Sequence, residues 1–184
     1  MHNFKLNTST LMLAQEMFNL NLPYFIQRDI LFLGARHGSM EFQLASKLRA
    51  IGHRGNICVA EIFRPNAMVC KQNPSWNVIH GDARTLPFKD NAFKIVAMVG
   101  GPEHLKLNEI PSATKEIERV ASELVIFEHP DGTYIQRELY GNPWEVHRSH
   151  LPKEFFEQFG YTCVTGKNLW ESLTHVLAYK TLTK

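Results

Sequence analysis

The sequence is short of most features that would tie it to a membrane, a nucleic acid or an oxidising compartment. Its 184 residues hold three cysteines, Cys58, Cys70 and Cys163, odd in number and far apart. Such a set gives neither a disulfide framework nor a zinc motif; it suits a reducing compartment, with each cysteine a small buried hydrophobe. No apolar run approaches the ~20 residues of a membrane span. The opening stretch MHNFKLNTSTLMLAQEMFNLNLP has no basic leader, and Gln15 and Glu16 interrupt its apolar part, so neither a signal peptide nor a span is expected. Dense basic runs are missing too. The net charge is +2, and the tightest group (Lys47, Arg49, His53, Arg54) falls at an expected helix end, where cations suit the helix dipole. Nucleic-acid binding would need a basic face that this composition does not show. Repeats, low-complexity segments and interdomain linkers are absent. The expectation is a cytoplasmic protein with no membrane or nucleic-acid partner, a monomer or a homodimer.

What is present fits one globular domain over 1–184: hydrophobic residues make up 44% and charged residues 21%. Thr8, Ser9 or Thr10 is placed to cap a helix to about Asn19, within an N-terminal helical cap over 1–28. Apolar runs at 30–33, 56–62, 77–82, 93–99 and 123–129 read as five strands. Helical patterns separate them: 39–51 stopped by Gly52, a short helix after Pro65, and a helix after Pro111 capped by Asn108 or Ser112. A polar, aromatic-rich loop covers 130–150, residues 152–160 read as a helix closed by Gly160, and two more strands lie near 161–165 and 173–180. Strands alternating with helices imply parallel βαβ units. The last two strands are joined too briefly for a crossover helix and should pair antiparallel. The fold class is therefore α/β: a Rossmann-like, doubly wound, seven-stranded and mostly parallel sheet with an antiparallel C-terminal strand, in a three-layer sandwich.

In such sheets a ligand sits beyond the carboxyl ends of the strands. The first strand runs into Gly34-Ala35-Arg36-His37-Gly38, a tight turn with small residues and two bulky basic ones. Glu61 closes the second strand, past Gly38 by close to the ~20 residues expected of a ribose-binding acid. Asp82, beside Gly81 and Ala83, offers an acceptor for an adenine amino group. The fourth strand ends in Val99-Gly100-Gly101, small enough for a ligand to lie against the backbone.

From about Ile30 to Ala178 the chain resembles the small class I S-adenosylmethionine-dependent methyltransferases, particularly the type 11 group. GDARTLPFKDNAFKIV (81–96) looks like that family's GDAxxLPFxDxxFDxV and is the most specific match. PEHL (102–105), EIERVASELVIFEHPDG (116–132) and NPWEVHRSHLPKEFFEQFGY (142–161) resemble further family segments. The resemblance implies a bound S-adenosylmethionine with Glu61 on the ribose and Asp82 beside the adenine. Cofactor-binding residues are then expected among Gly34, Ala35, Arg36, Gly38, Glu61, Asp82, Ala83, Val99 and Gly100. Three positions depart from the family pattern: Phe32 replaces an acid and Arg36 a glycine in the first motif, and Lys94 stands where an acid is common. The first two move the local charge about two units towards positive. Arg36 has the fork to pair with the cofactor's carboxylate, and Glu41 is a candidate for the missing negative charge.

Methyl transfer asks mainly for alignment, and for a base only when the acceptor must lose a proton. His104 is the candidate base or substrate contact; His129, Tyr134, Trp144, His147 and His150 are candidates for the acceptor side, which the 130–150 loop should form. His147 and His150 are spaced as a metal pair, but the sequence offers no evident third ligand and no metal is expected. Two functions stay open: methyl transfer to an O, N or C nucleophile of a small-molecule acceptor, or a methyltransferase-like scaffold that no longer catalyses. A nicotinamide dehydrogenase fails on the turn, which lacks the middle glycine that lets a pyrophosphate approach.

Overall fold

The computed structural model describes residues 27–36, 38, 45–46, 48–50, 52–167 and 174–183. The helix read over 8–19 lies outside the described residues, as does Glu41; of the expected cap only Gln27 and Arg28 fall within them. Seven strands form one sheet: β1 (Ile30–Leu33), β2 (Ile57–Glu61), β3 (Trp76–His80), β4 (Phe93–Val99), β5 (Ala121–Pro130), β6 (Thr162–Lys167) and β7 (Thr174–Thr181). Their order is β3-β2-β1-β4-β5-β7-β6. Strands β1 to β5 run parallel, and β7 lies antiparallel between β5 and β6. This is the mostly parallel sheet that the alternating pattern implies, with one antiparallel strand at the C-terminal end.

The strands read as near-continuous apolar runs because both faces are covered. Every residue of β1 and β2 is buried, Glu61 included. Alternate side chains feed two cores. On one face Ile30 and Phe32 pack with Ala45, Leu48, Cys70 and Trp76. On the other, Leu31 and Leu33 join Ile110, Ile117, Val120 and Phe156. The layers are therefore helix, sheet, helix. Phe32 settles one departure: it is core filling at 2% exposure, so its exchange for an acid puts an apolar ring where a charge would need a partner.

Three helices lie within the fully described part of the chain. Arg64–Cys70 carries its proline in the first turn, as read. Ile110–Val120 corrects the expected cap: Glu109 occupies the cap position, its carboxylate accepts from the Lys106 amide at 2.9 Å, and Ser112 Oγ donates to the Glu109 carbonyl from inside the helix. The helix starts one residue before Pro111, whose missing N–H costs nothing there. The helix read over 152–160 shortens to Glu154–Glu157. Its flanks tighten into i to i+3 bonds, Phe155 N–H to Pro152 O at one end and Gly160 N–H to Glu157 O at the other. All three cysteines are free, Cys58 and Cys70 buried but Cys163 only partly so. No helix among the described residues is long and apolar enough to cross a membrane.

Candidate functional site

The chain leaves β1 for β2 on one side and β4 lies on the other, so a crevice opens at the carboxyl end of β1. A cleft of about 600 Å³, counting the open solvent at its mouth, occupies it. Its floor is the turn after β1. Gly34 (φ +71°) and Gly38 (φ +78°) are both left-handed, and Arg36 between them takes φ +50°, the region that favours the glycine of the family motif. The turn keeps its shape with an arginine in it, at a backbone cost of about 1 kcal/mol. A Cβ on Gly34 would meet nothing within 4 Å, whereas one on Gly38 would lie 2.7 Å from Trp76 Cζ3.

Three bonds hold Arg36. Its amide donates to Glu61 Oε2 at 2.8 Å, its Nε donates to Glu145 Oε1 at 2.9 Å, and its carbonyl accepts from Cys70 Sγ at 3.6 Å. Glu145 comes from the 130–150 loop and is 4% exposed. It supplies the negative charge that the first motif appeared to have lost. Lys94 is irrelevant to that balance: it sits near the start of β4, paired with Glu123 at 2.8 Å, away from the carboxyl ends.

Glu61 is 3% exposed and lines the cleft. Its Oε1 accepts from the Phe63 amide at 2.7 Å and its Oε2 from the Arg36 amide. Burial pushes its pKa above the ordinary carboxylate value, opposed by these amide bonds and helped by the nearby Glu145 charge. Each oxygen keeps a second lone pair, which is what two adjacent sugar hydroxyls require. Asp82 is more committed. Arg84 grips both its oxygens, at 2.7 Å from Nη2 to Oδ2 and 3.0 Å from Nε to Oδ1, and also reaches Glu109 at 2.8 Å. Burial works to raise the Asp82 pKa, but the combined bonds and charge of Arg84 outweigh it and hold the carboxyl low.

Of the residues singled out from sequence, Gly34, Arg36, Glu61, Asp82, Ala83, Gly100, His104 and Trp144 line this cleft. Ala35 and Val99 do not; they are buried in the core beside β1. Gly38 packs against Trp76 instead of a ligand. His129 faces away from the cleft: it is fully buried, 5.5 Å from the Phe156 ring, with Nδ1 bonded to its neighbour's carbonyl at 2.8 Å. Tyr134, His147 and His150 lie off the cleft lining, Tyr134 packed at a tilt against His147 with ring centroids 5.4 Å apart and His150 exposed.

Two acids receive no role of their own from the sequence, although Glu145 stands in the loop expected on the acceptor side. Glu145 was hidden because its partner is 109 positions away. Glu103, in the 3-10 turn Pro102–His104, is 5% exposed and its Oε2 has no hydrogen-bond partner among the described residues. Burial pushes its pKa well up, with the Glu128 and Glu145 charges adding to that. The same turn holds His104, whose Nδ1 donates to the Val146 carbonyl at 3.2 Å and whose pKa burial and His147 lower to about 4.

Solved structures share this architecture. N-methyltransferase NodS from Bradyrhizobium japonicum WM9 superposes with a TM-score of 0.70 at 12% identity, over 96% of this chain and 97% of that one. A SAM-dependent methyltransferase from Aquifex aeolicus gives 0.63 at 16%, over 95% and 90%. The 1,6-didemethyltoxoflavin-N1-methyltransferase of Burkholderia thailandensis, solved with 1,6-didemethyltoxoflavin and S-adenosylhomocysteine, gives 0.67 at 11%, over 96% and 77%. No curated protein matches the sequence. At these identities the structures define the class by fold alone, a class I methyltransferase fold. The profile of a methyltransferase domain, type 11, matches residues 33–126, and the chain belongs to that family. S-adenosylmethionine is its cofactor, and the cleft fits it: a buried carboxylate with free lone pairs, an unfilled space at Gly34 and a neutralised arginine.

Proposed function

We propose that this protein, as one domain, transfers a methyl group from S-adenosylmethionine to an O, N or C nucleophile of a small-molecule acceptor. The observation that carries this reading is Glu61, a carboxylate buried at the end of β2 and held open toward the cleft by two backbone amides. Gly34, Arg36, Glu61, Ala83 and Gly100 form the cofactor side. His104, Leu105, Asn142 and Trp144 wall the other side, where the acceptor belongs.

When bound, the cofactor supplies an electrophilic methyl group on a good leaving group. The chain's own work is then orientation and exclusion of water. Arg36 is spent on Glu145, so it adds no uncompensated positive charge beside a cationic cofactor. Arg84 and Arg148 hold Trp144 in place, their Cζ atoms 5.3 Å and 5.6 Å from its ring centroid, and the ring walls the side where an acceptor can lie. The 1,6-didemethyltoxoflavin-N1-methyltransferase, solved with 1,6-didemethyltoxoflavin bound, supports a small-molecule acceptor. Free cysteines agree with a cytoplasmic setting.

The test is thermal unfolding with S-adenosylmethionine or its demethylated product at about a hundred times Kd. Binding at that excess adds ~2.7 kcal/mol, a midpoint rise of roughly 5–10 °C for a domain of this size. Glu61→Ala should abolish the rise. A wild-type protein that shows none is a scaffold and not an enzyme of this class.

A further inference from the structure

The geometry points to a divalent transition-metal site built from Glu103, His104 and His147, at the acceptor wall of the cleft. Two segments distant in sequence deliver three ligand atoms to one point. Glu103 Oε1 lies 3.9 Å from His104 Nε2 and 3.9 Å from His147 Nε2, and all three atoms fall within 4.8 Å of one another. These separations are too long for hydrogen bonds. Around a metal with bonds of about 2.0–2.2 Å the ligand atoms would stand roughly 3.0–3.5 Å apart, so the group closes with shifts of about 1 Å.

The histidines are already set for coordination. His104 Nδ1 faces the Val146 carbonyl at 3.2 Å and His147 Nδ1 faces the Tyr134 carbonyl at 2.7 Å. Facing a carbonyl, each Nδ1 must carry the proton, which leaves the Nε2 lone pair of both rings turned toward Glu103. A ligating histidine typically donates its other N–H in this way. The rings cross edge to face at 4.9 Å, so neither blocks the other.

The acid supports the same reading. Other buried carboxylates of this region have partners: Glu61 two amides, Glu145 Arg36, and Glu128 His175. Glu103 Oε2, the oxygen beside the one that faces the two rings, has none, and among the described residues only those two histidines stand within ion-pair distance of Glu103. A buried carboxylate facing two neutral imidazoles lacks a cation, and a metal ion supplies it. Backbone order agrees: the amides of Arg148 and Ser149 both donate to the Glu103 carbonyl, at 2.8 and 3.1 Å, so the loop bearing His147 is fastened to the turn bearing the other two ligands.

Two imidazoles and one carboxylate select the Zn²⁺, Co²⁺, Fe²⁺ class over Mg²⁺ or Ca²⁺. His104 also lines the cleft, which places the group beside the side where the acceptor belongs. Resting on the proposed methyl transfer, this deepens it: the acceptor carries an oxygen or nitrogen that binds a metal, whose proton is acidified on binding. His104 is then a ligand and not a free base.

The experiment is a Co²⁺ titration of metal-free full-length protein, read by visible ligand-field absorption. One equivalent should bind, and Zn²⁺ should displace it. Glu103→Gln and His147→Gln should each weaken Co²⁺ binding by about 100-fold or more, whereas His80→Gln on the exposed edge strand should not. Should Glu103→Gln fail to fold, His147→Gln in the loop carries the comparison. No Co²⁺ spectrum, or one unchanged in these variants, overturns the site. The thermal shift with S-adenosylmethionine is read on the same samples. A shift without Co²⁺ binding sinks the metal site alone; Co²⁺ binding without a shift upholds the site and sinks the cofactor reading alone.

Discussion

Arg36 sets a left-handed backbone against a buried partner, and the two make opposite demands on the residue. Glycine would relieve about 1 kcal/mol of strain, part of which its extra unfolded-state entropy cancels. Removing the guanidinium, however, leaves Glu145 at 4% exposure with only amide donors, Asn142 and Gln136 at 3.3 Å. A fully buried charge left alone costs 3–5 kcal/mol; the Arg36 side chain is 43% exposed, and discounting for screening leaves about 1–2. Restoring the family glycine should therefore destabilise the protein: with the strain relief subtracted, Arg36→Gly is expected to lose ~0.5–1.5 kcal/mol in urea unfolding. Adding Glu145→Gln to it should recover most of the loss. A neutral or stabilising Arg36→Gly would mean the pair contributes nothing and the arginine is there for a ligand.

The 130–150 loop has little regular structure beyond the 3-10 turn Pro143–Glu145, so its order must come from specific bonds. Arg148 supplies several: Nη1 to the His104 carbonyl at 3.0 Å, Nη2 to the Pro143 carbonyl at 2.7 Å, and its plane over Trp144. Charge-assisted bonds of this kind are worth about 1.5–3 kcal/mol each. Arg148→Ala should speed hydrogen exchange at the His147, Arg148 and Ser149 amides by about tenfold or more while β5 stays protected. Equal protection in the variant would show that the chain holds the loop by other contacts. These bonds also show what sequence can carry at this scale. Strands β1 to β5 announce themselves as apolar runs between helical patterns, because burial on both faces leaves a local mark. The loop's fastening leaves none: Arg148 reaches carbonyls, which every residue has, and Glu145 finds Arg36 only after the sheet has formed. The 154–157 helix was read too long for a related reason, since Gly160 marks an end but not whether the last turn is α or 3-10.

At the scale of the whole molecule, strand order and the position of the cleft follow from the parallel sheet, and Glu61 was legible because its spacing from Gly38 is local. Which acids and histidines end up buried was not, and it governs how stability responds to pH. Glu61, raised by burial, contributes stability that is lost as pH rises through its folded pKa. His53 and His129 act in the opposite sense. They are 2% and 0% exposed, and burial lowers both below 6.5. The unfolded chain therefore takes up their protons first on acidification. Their contribution is complete above pH ~6.5 and is lost as pH falls toward the folded values, at up to ~1.4 kcal/mol per unit for each. Opposed groups flatten the total curve, so the measurement is a difference. His53 holds the Arg28 carbonyl at 2.8 Å, and His53→Gln should cost stability at pH 7.5. That penalty should shrink at pH 5.5, where the wild type has begun to lose what the variant never had. A penalty that stays constant across the two pH values would mean His53 is equally protonated in both states, and that its burial does not hold it neutral.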